Sequence, residues 1–125
     1  MKTSKNYLDE ANAKVSRIDA KSGIEKHARG GSIFVDVRDS AAIAESGTIK
    51  GALLVPRGFI EFAADDATPF HNAELKKDAE IYLVCGKGGQ AALAGKTLIE
   101  MGFTNVTNIG GISEWIDAGG PIQKA

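Results

Sequence analysis

The only cysteine of the chain stands beside a run of glycines that could make its sulfur reactive. Cys85 follows the apolar stretch 81–84 and is itself followed by Gly86-Lys87-Gly88-Gly89-Gln90. Glycines let successive backbone N–H groups curl toward one point, where they stabilise an anion. The lysine adds a positive charge, and both effects favour the thiolate, which is the nucleophilic form of cysteine. The segment therefore predicts a reactive thiol, with a buried structural cysteine as the alternative.

The residues on either side of this run predict the elements that position the thiol. The stretch 81–84 is apolar, as in a buried strand. Apolar residues recur at helical spacing along 90–101, and Gly102 follows where a helix would end. Cys85 would then lie at the carboxyl end of a strand and beside a helix N-terminus, which also favours an anion. In parallel sheets this edge is where ligands bind.

Short apolar runs alternate with amphipathic segments along most of the chain. The predicted strands are 33–37, 52–55, 81–84 and 106–109, and the predicted helices are 4–14, 22–29, 40–46, 59–65, 90–101 and 111–118. Strands that are apolar on both faces belong in parallel sheets covered by helices. We therefore expect an α/β fold, a three-layer sandwich with a mainly parallel sheet of about five strands flanked by helices. Residues 1–14 would form an N-terminal helical arm, and 15–125 a single domain.

Composition narrows the classes of function. The chain has 125 residues, of which 43% are hydrophobic and 25% charged, and its net charge is -1. This balance gives no general reason to expect nucleic acid or an anionic membrane as a partner. No apolar run approaches the ~20 residues of a membrane span. The polar N-terminus and the single cysteine, which allows no internal disulfide, favour a cytoplasmic protein. The sequence leaves the oligomeric state open.

A metal site is not expected from the histidines. His27 and His71 are far apart in sequence and far from Cys85, and no pair of ligands has the spacing of a zinc site. We expect both histidines to be ordinary surface residues.

Four segments together resemble the signatures of the rhodanese-like domain family, and the resemblance runs from about residue 15 to 122. They are Asp36-Val37-Arg38-Asp39, Gly47-Thr48-Ile49-Lys50-Gly51-Ala52, Cys85-Gly86-Lys87-Gly88-Gly89-Gln90, and Gly110-Gly111-Ile112-Ser113-Glu114-Trp115 with Gly120-Pro121. Each segment alone is a weak signal, but their order and spacing together are specific. The chain is thus identified as a member of this family, similar to its single-domain thiosulfate sulfurtransferases.

The resemblance implies a two-step sulfur transfer. The Cys85 thiolate would take the outer sulfur of a small anionic donor such as thiosulfate and hold it as a persulfide. Cyanide, or a thiol that could belong to another protein, would then accept the sulfur. The backbone donors of Gly86, Lys87, Gly88, Gly89 and Gln90 would stabilise the anionic intermediate. The resemblance implies neither a cofactor nor a metal.

Other residues receive roles from the same resemblance. Lys87 would attract the anionic donor. Arg57, after Pro56, would lie at the rim of the pocket for a different reason, because its strand also ends on that face of the sheet. Asp36 and Arg38 would be structural supports that hold neighbouring loops through charge-assisted hydrogen bonds. We expect Trp115 to belong to the core.

The sequence departs from the family pattern at two places. Many single-domain relatives carry Arg-Ser where this chain has Gln90-Ala91, so the stabilisation of the thiolate should be weaker here. Thr48 and Lys50 replace the more usual histidine and proline, which predicts a changed turn rather than lost chemistry. Whether the missing loop arginine reduces activity, and which donor and acceptor are physiological, stay open.

Two other classes of function remain as alternatives. Phosphatases and arsenate reductases with a related domain use a longer loop, Cys-x5-Arg, whereas Ala91 stands at the arginine position here. A phosphate dianion demands more positive charge than a persulfide does. The other alternative is a non-enzymatic sulfur carrier or regulatory binding module. The presence of both Cys85 and Lys87 argues against an inactive copy.

Overall fold

A five-stranded parallel sheet lies at the centre of the computed structural model, which describes residues 1–124. The strands in chain order are β1 (Ser16–Arg17), β2 (Ile33–Asp36), β3 (Thr48–Ile49), β4 (Leu53–Leu54), β5 (Ile81–Cys85), β6 (Val106–Gly111) and β7 (Ile122–Gln123). The main sheet has the order β1-β6-β5-β2-β4, and all its neighbouring strands run parallel. The short strands β3 and β7 pair with each other in antiparallel orientation.

Helices cover both faces of this sheet. They are α1 (Ser4–Lys14), α2 (Ala20–Arg29), α3 (Ser40–Ser46), α4 (Ile60–Ala64), α5 (Gly89–Glu100) and α6 (Ile112–Asp117), and a 3-10 turn (Arg57–Phe59) precedes α4. On one side α1 and α4 pack around α5, and on the other α2 packs against α6 and β6. The predicted three-layer α/β fold is confirmed. No helix within residues 1–124 has the length and apolar character that crossing a membrane requires.

The central strand β5 contributes to a separate apolar cluster on each face. Leu83 and Cys85 point into the cluster beneath α5, and Tyr82 and Val84 point into the cluster around Trp115. All five residues of β5 are buried. Burial of a large apolar side chain stabilises a fold by roughly 1.5–3 kcal/mol, so this strand is strongly fixed in register. Its alternation therefore determines that the cysteine side chain faces α5.

The bounds of several elements follow the predictions closely. The helices 4–14 and 40–46 have the predicted bounds, and α5 begins one residue earlier than expected. The strand expected at 52–55 is only Leu53–Leu54. The helix expected at 59–65 is preceded by a 3-10 turn and ends at Ala64. Strands β1, β3 and β7 were not expected, because two-residue strands carry no periodic pattern.

The N-terminal helix packs against the domain. Ala11 of α1 is fully buried, and α1 contacts α5. Leu8 lies 3.4 Å from the position that a Cβ atom on Gly89 would occupy, so this helix reaches the start of α5. The division into an arm, 1–14, and a domain, 15–125, stays a prediction, and Ala125 lies outside the described residues.

His27 differs from its expected surface position. Its ring is half-buried and packs against Phe34 and Trp115, with ring centroids 5.1 and 5.7 Å away. Its Nε2 donates a hydrogen bond to the carbonyl of Lys50 at 2.8 Å. The amphipathic pattern of α2 turns this residue toward the sheet, which the sequence position alone did not indicate.

Tyr82 makes the free energy of unfolding depend on pH in the alkaline range. Its hydroxyl donates a hydrogen bond to the Glu80 carboxylate, which also pairs with Arg29 at 2.6 Å. Burial, and then the hydrogen bond to Glu80, raise the pKa of Tyr82 from 10.0 to about 12. The folded protein therefore keeps a proton that the unfolded chain releases.

The free energy of unfolding should fall as the pH rises from about 10 toward about 12, and this contribution should be complete below pH 10. Two pH units correspond to nearly 3 kcal/mol at full strength. Because the hydroxyl pairs with a half-exposed ion pair, we expect a loss of about 1 kcal/mol. Urea unfolding at several alkaline pH values measures it. Tyr82→Phe should lack this component, and equal losses in both proteins would contradict the assignment.

Candidate active site

The sulfur of Cys85 lies at the carboxyl end of β5 and accepts two backbone hydrogen bonds. The N–H of Gly88 donates to Sγ at 3.0 Å, and the N–H of Ala91 donates at 3.3 Å. The residue is only 1% exposed, so these bonds are shielded from water. N–H donors directed at a buried sulfur stabilise its anionic form more than its neutral form. We call residues 85–90, for which a catalytic role is proposed below, the catalytic loop.

The catalytic loop leads directly into helix α5. Gly88 has a φ of 104° and precedes the first helical residue, Gly89. Residues with a Cβ atom avoid this left-handed conformation, so the glycine allows the turn that directs its own N–H at Sγ. The helix has twelve residues, and the partial positive charge of its N-terminus faces the sulfur. The loop places the thiol at this terminus, as the sequence predicted.

Residues of strand β6 contact the backbone of the catalytic loop and hold it in place. The buried Asn108 side chain donates from Nδ2 to the carbonyl of Gly88 at 2.9 Å, and its Oδ1 accepts from the N–H of Gly110 at 2.8 Å. A Cβ atom on Gly111 would lie 2.3 Å from the carbonyl oxygen of Gly86, so only glycine permits the loop to approach β6 so closely. These contacts fix the two peptide groups that flank the Lys87–Gly88 peptide, whose N–H donates to the sulfur.

The polar residues of the loop point to solvent. Lys87 and Gln90 are exposed, and Lys87 forms no ion pair with any residue in the described range 1–124. The N–H groups of Lys87, Gly89 and Gln90 donate to no acceptor within that range. The loop thus presents a free ammonium group and unpaired N–H donors around a buried sulfur, which is a setting that suits a small anion.

Arg57 lies beside the start of α5. It lines a groove of about 440 Å³ together with Tyr7, Leu8, Gly89, Gln90 and their neighbours Ser4 and Leu93. Its guanidinium donates to Glu61 at 3.2 Å and to the hydroxyl of Thr97 at 3.2 Å. The side chain therefore already has two partners, and its place at the rim of the substrate pocket stays a prediction.

Asp36 and Arg38 form a buried ion pair next to β5. Their Oδ2 and Nη2 atoms are 2.8 Å apart, with the side chains 0% and 6% exposed. Oδ2 also accepts from Thr48 at 2.8 Å, while Arg38 donates to the hydroxyl of Ser46 and the carbonyl of Gly47, both at 2.8 Å. The pair connects β2 to the turn before β3. Thr48, which replaces the usual histidine of the family, belongs to this network.

Two residues of the site escaped the sequence interpretation. Asn108 could have been noticed in the sequence, because a polar residue inside a buried strand needs a hydrogen-bond partner. Nothing in the sequence pointed to Arg17. It lies on the edge strand β1, and its Nη2 is 3.5 Å from the carbonyl oxygen of Lys87. Within the described residues, no three histidine, cysteine or carboxylate side chains are grouped to bind a metal.

Solved structures resemble the whole chain. A protein of unknown function from Rhodopseudomonas palustris, described as a possible tyrosine phosphatase, is 34% identical, with 98% of this chain and 96% of that chain covered and a TM-score of 0.91. The polysulfide-sulfur transferase homodimer from Wolinella succinogenes is 26% identical, with 95% and 85% covered and a TM-score of 0.76. Both alignments extend beyond the central sheet.

Sequence comparison gives the family. An adenylyltransferase and sulfurtransferase of Meyerozyma guilliermondii is 31% identical over 84 residues, which are 66% of this chain and 20% of that protein. The chain spans from about a tenth to about half the length of the curated relatives it matches. The sequence model of the rhodanese-like domain matches residues 19–118, which include β2, the catalytic loop and α6. The chain therefore belongs to the rhodanese-like domain family of sulfurtransferases and sulfur carriers.

Proposed function

We propose that this chain is a thiosulfate sulfurtransferase that carries sulfur as a persulfide on Cys85. In the first step the thiolate attacks the outer sulfur of thiosulfate, the S–S bond of the donor breaks, and sulfite leaves with the electron pair. In the second step cyanide or a thiolate attacks the outer sulfur of the persulfide, and the Cys85 thiolate is released. Each step conserves charge and needs no external oxidant or reductant.

The observation that carries this proposal is the set of N–H groups around the sulfur. Two of them bind Sγ itself, from Gly88 and Ala91. The free N–H groups of Lys87, Gly89 and Gln90 are available to the outer sulfur of a persulfide, which carries the negative charge after the first step. An organic persulfide could serve as donor by the same route, with a thiolate as leaving group.

The direct test is the intact mass of the protein after incubation with thiosulfate. We expect a gain of one sulfur atom, loss of that sulfur on addition of cyanide, and an equal amount of thiocyanate. Steady-state rates should show the parallel lines of a ping-pong mechanism. If the added mass is absent with thiosulfate but present with an organic persulfide, the donor is an organic persulfide and not thiosulfate. A persulfide that forms but passes to no acceptor would indicate a carrier or regulatory module.

Phosphatase activity is the second candidate, because the Rhodopseudomonas palustris protein is described as a possible tyrosine phosphatase. The loop of this chain contains no arginine, and its cation is the exposed Lys87. Arginine binds a phosphate dianion through two parallel hydrogen bonds, which a lysine does not offer. We therefore expect no turnover of an aryl phosphate under conditions in which the protein transfers sulfur. Phosphate release that disappears on alkylation of Cys85 would favour the phosphatase.

Lys87→Ala should weaken the use of thiosulfate more than it weakens the second step. The free ammonium group attracts the incoming dianion, so we expect KM for thiosulfate to rise by about fivefold at low ionic strength and by less in salt. Transfer from a preformed persulfide to cyanide should change little. Lys76→Ala, which removes another exposed lysine outside the loop, is the matched control. Equal kinetics for the two variants would show that Lys87 is an ordinary solvated residue.

A further inference from the structure

The guanidinium group of Arg17 lies close to Gly88 of the catalytic loop. A Cβ atom on Gly88 would lie 2.5 Å from Nη1 and 2.9 Å from both Cζ and Nη2 of this arginine. Nη2 also lies 3.5 Å from the carbonyl oxygen of Lys87, which is longer than an ordinary N–H···O hydrogen bond, so the attraction between the two groups is mainly electrostatic. Arg17 belongs to the edge strand β1, which precedes the residues that the family model matches.

One peptide group connects this arginine to the reactive sulfur. The carbonyl of Lys87 and the N–H of Gly88 belong to the same peptide unit. The carbonyl faces Nη2 of Arg17, and the N–H donates to Sγ of Cys85 at 3.0 Å. A cation at the carbonyl end increases the polarisation of the peptide and strengthens the N–H bond at the other end. The next peptide is held in the same way, since Asn108 donates to the carbonyl of Gly88.

We propose that Arg17 is a positioning residue that supplies, from the edge of the sheet, the guanidinium charge that the loop lacks at Gln90. Arg17 acts on Cys85 through the peptide between Lys87 and Gly88 and touches no substrate. The proposal rests on the nucleophilic role of Cys85 and is independent of which donor loads it. It also explains why glycine occupies position 88 beyond its φ, since any side chain there would displace the guanidinium.

Other charged groups near the loop also contribute to the electrostatic potential at Cys85. Lys87 is exposed on the loop itself, and Arg57 lies in the groove beside Gly89 and Gln90. Glu114 of α6 is the opposing charge, with Oε1 3.9 Å from Nη2 of Arg17. The same Oε1 accepts from the N–H of Gly111 at 3.2 Å. Glu114 thus approaches the same Nη2 that faces the Lys87 carbonyl, and this exposed pair offsets only part of the Arg17 charge. With Lys87 unpaired among the described residues, the site keeps an excess of positive charge.

The test is the pH profile of Cys85 alkylation by iodoacetamide, a neutral reagent, in the variants Arg17→Gln and Arg17→Lys. Removal of the charge in Arg17→Gln should move the midpoint upward by about half to one pH unit, and Arg17→Lys should restore part of that shift. Arg29→Gln is the matched control, because that arginine is about as exposed and also pairs with a glutamate. Its midpoint should stay at the wild-type value.

Thermal unfolding of each variant shows whether the protein is folded, so that a shift of the alkylation midpoint caused by the lost charge is distinguished from one caused by unfolding. A folded Arg17→Gln protein with the wild-type midpoint would overturn the proposal, as would equal shifts in Arg17→Gln and Arg29→Gln. If Arg17→Gln does not fold, Arg17→Lys decides, since a partial upward shift supports the proposal and an unchanged midpoint contradicts it. The readout needs no sulfur donor. Failure of sulfur transfer, seen in the intact mass of the wild type, is thereby distinguished from failure of the role of Arg17.

Discussion

Cys85→Ser is expected to reduce sulfur transfer to the background rate while the protein stays folded. A serine hydroxyl ionises far less readily than a thiol near neutral pH and cannot form a persulfide, so the loss should exceed about a thousandfold. The fold should tolerate the change, because the serine oxygen can accept the same N–H bonds from Gly88 and Ala91. Thiocyanate formation from thiosulfate and cyanide measures the loss.

Two controls protect this result from a trivial explanation. Circular dichroism and thermal unfolding should show a wild-type transition for Cys85→Ser. Wild-type protein alkylated at Cys85 is a second inactive form that needs no mutation, and it should match the variant. Sulfur transfer by the serine variant at a rate near that of the wild type would refute the persulfide mechanism, since residues 1–125 hold no other thiol.

The central part of the fold could be predicted because its residues carry a strong local pattern. Strand β5 is a continuous apolar run, and α5 repeats apolar residues on one face over its whole length. The edges of the sheet could not be predicted in this way. Strand β1 is Ser16–Arg17, two exposed polar residues, and it is a strand only because β6 pairs with it. Tertiary pairing decides the state of such short segments.

The candidate site also has a part that the sequence predicts and a part that it does not. Cys85, Lys87 and the glycines are consecutive, so their chemistry was visible in the sequence. The residues that hold the loop come from distant positions: Arg17 is 70 residues from the carbonyl it faces, and Asn108 is 20 residues from its acceptor. Only the strand order β1-β6-β5 brings them together. A local motif can therefore predict a nucleophile, but the groups that orient it require the topology.

The second large effect concerns stability. Asp36→Ala should destabilise the fold by about 3–5 kcal/mol, because it leaves the Arg38 guanidinium buried without its counter-charge. The carboxylate accepts from the backbone N–H of Arg38 at 3.0 Å and from Thr48 at 2.8 Å, so its removal also leaves polar groups without partners. Asp36 pairs in register with Val84, the residue before Cys85, so local loosening should also lower activity.

Urea unfolding of single and double variants measures whether the pair acts as a unit. Asp36→Leu and Arg38→Met should each be strongly destabilising, whereas the double variant should cost much less than their sum, because it removes both charges from the interior. Asp9→Ala, which breaks the exposed pair with Lys5 in α1, should leave the unfolding midpoint unchanged. Additive losses in the double variant would contradict this account. Asp36 and Arg38 would then contribute through separate contacts, and the buried pair would not be what joins β2 to the turn before β3.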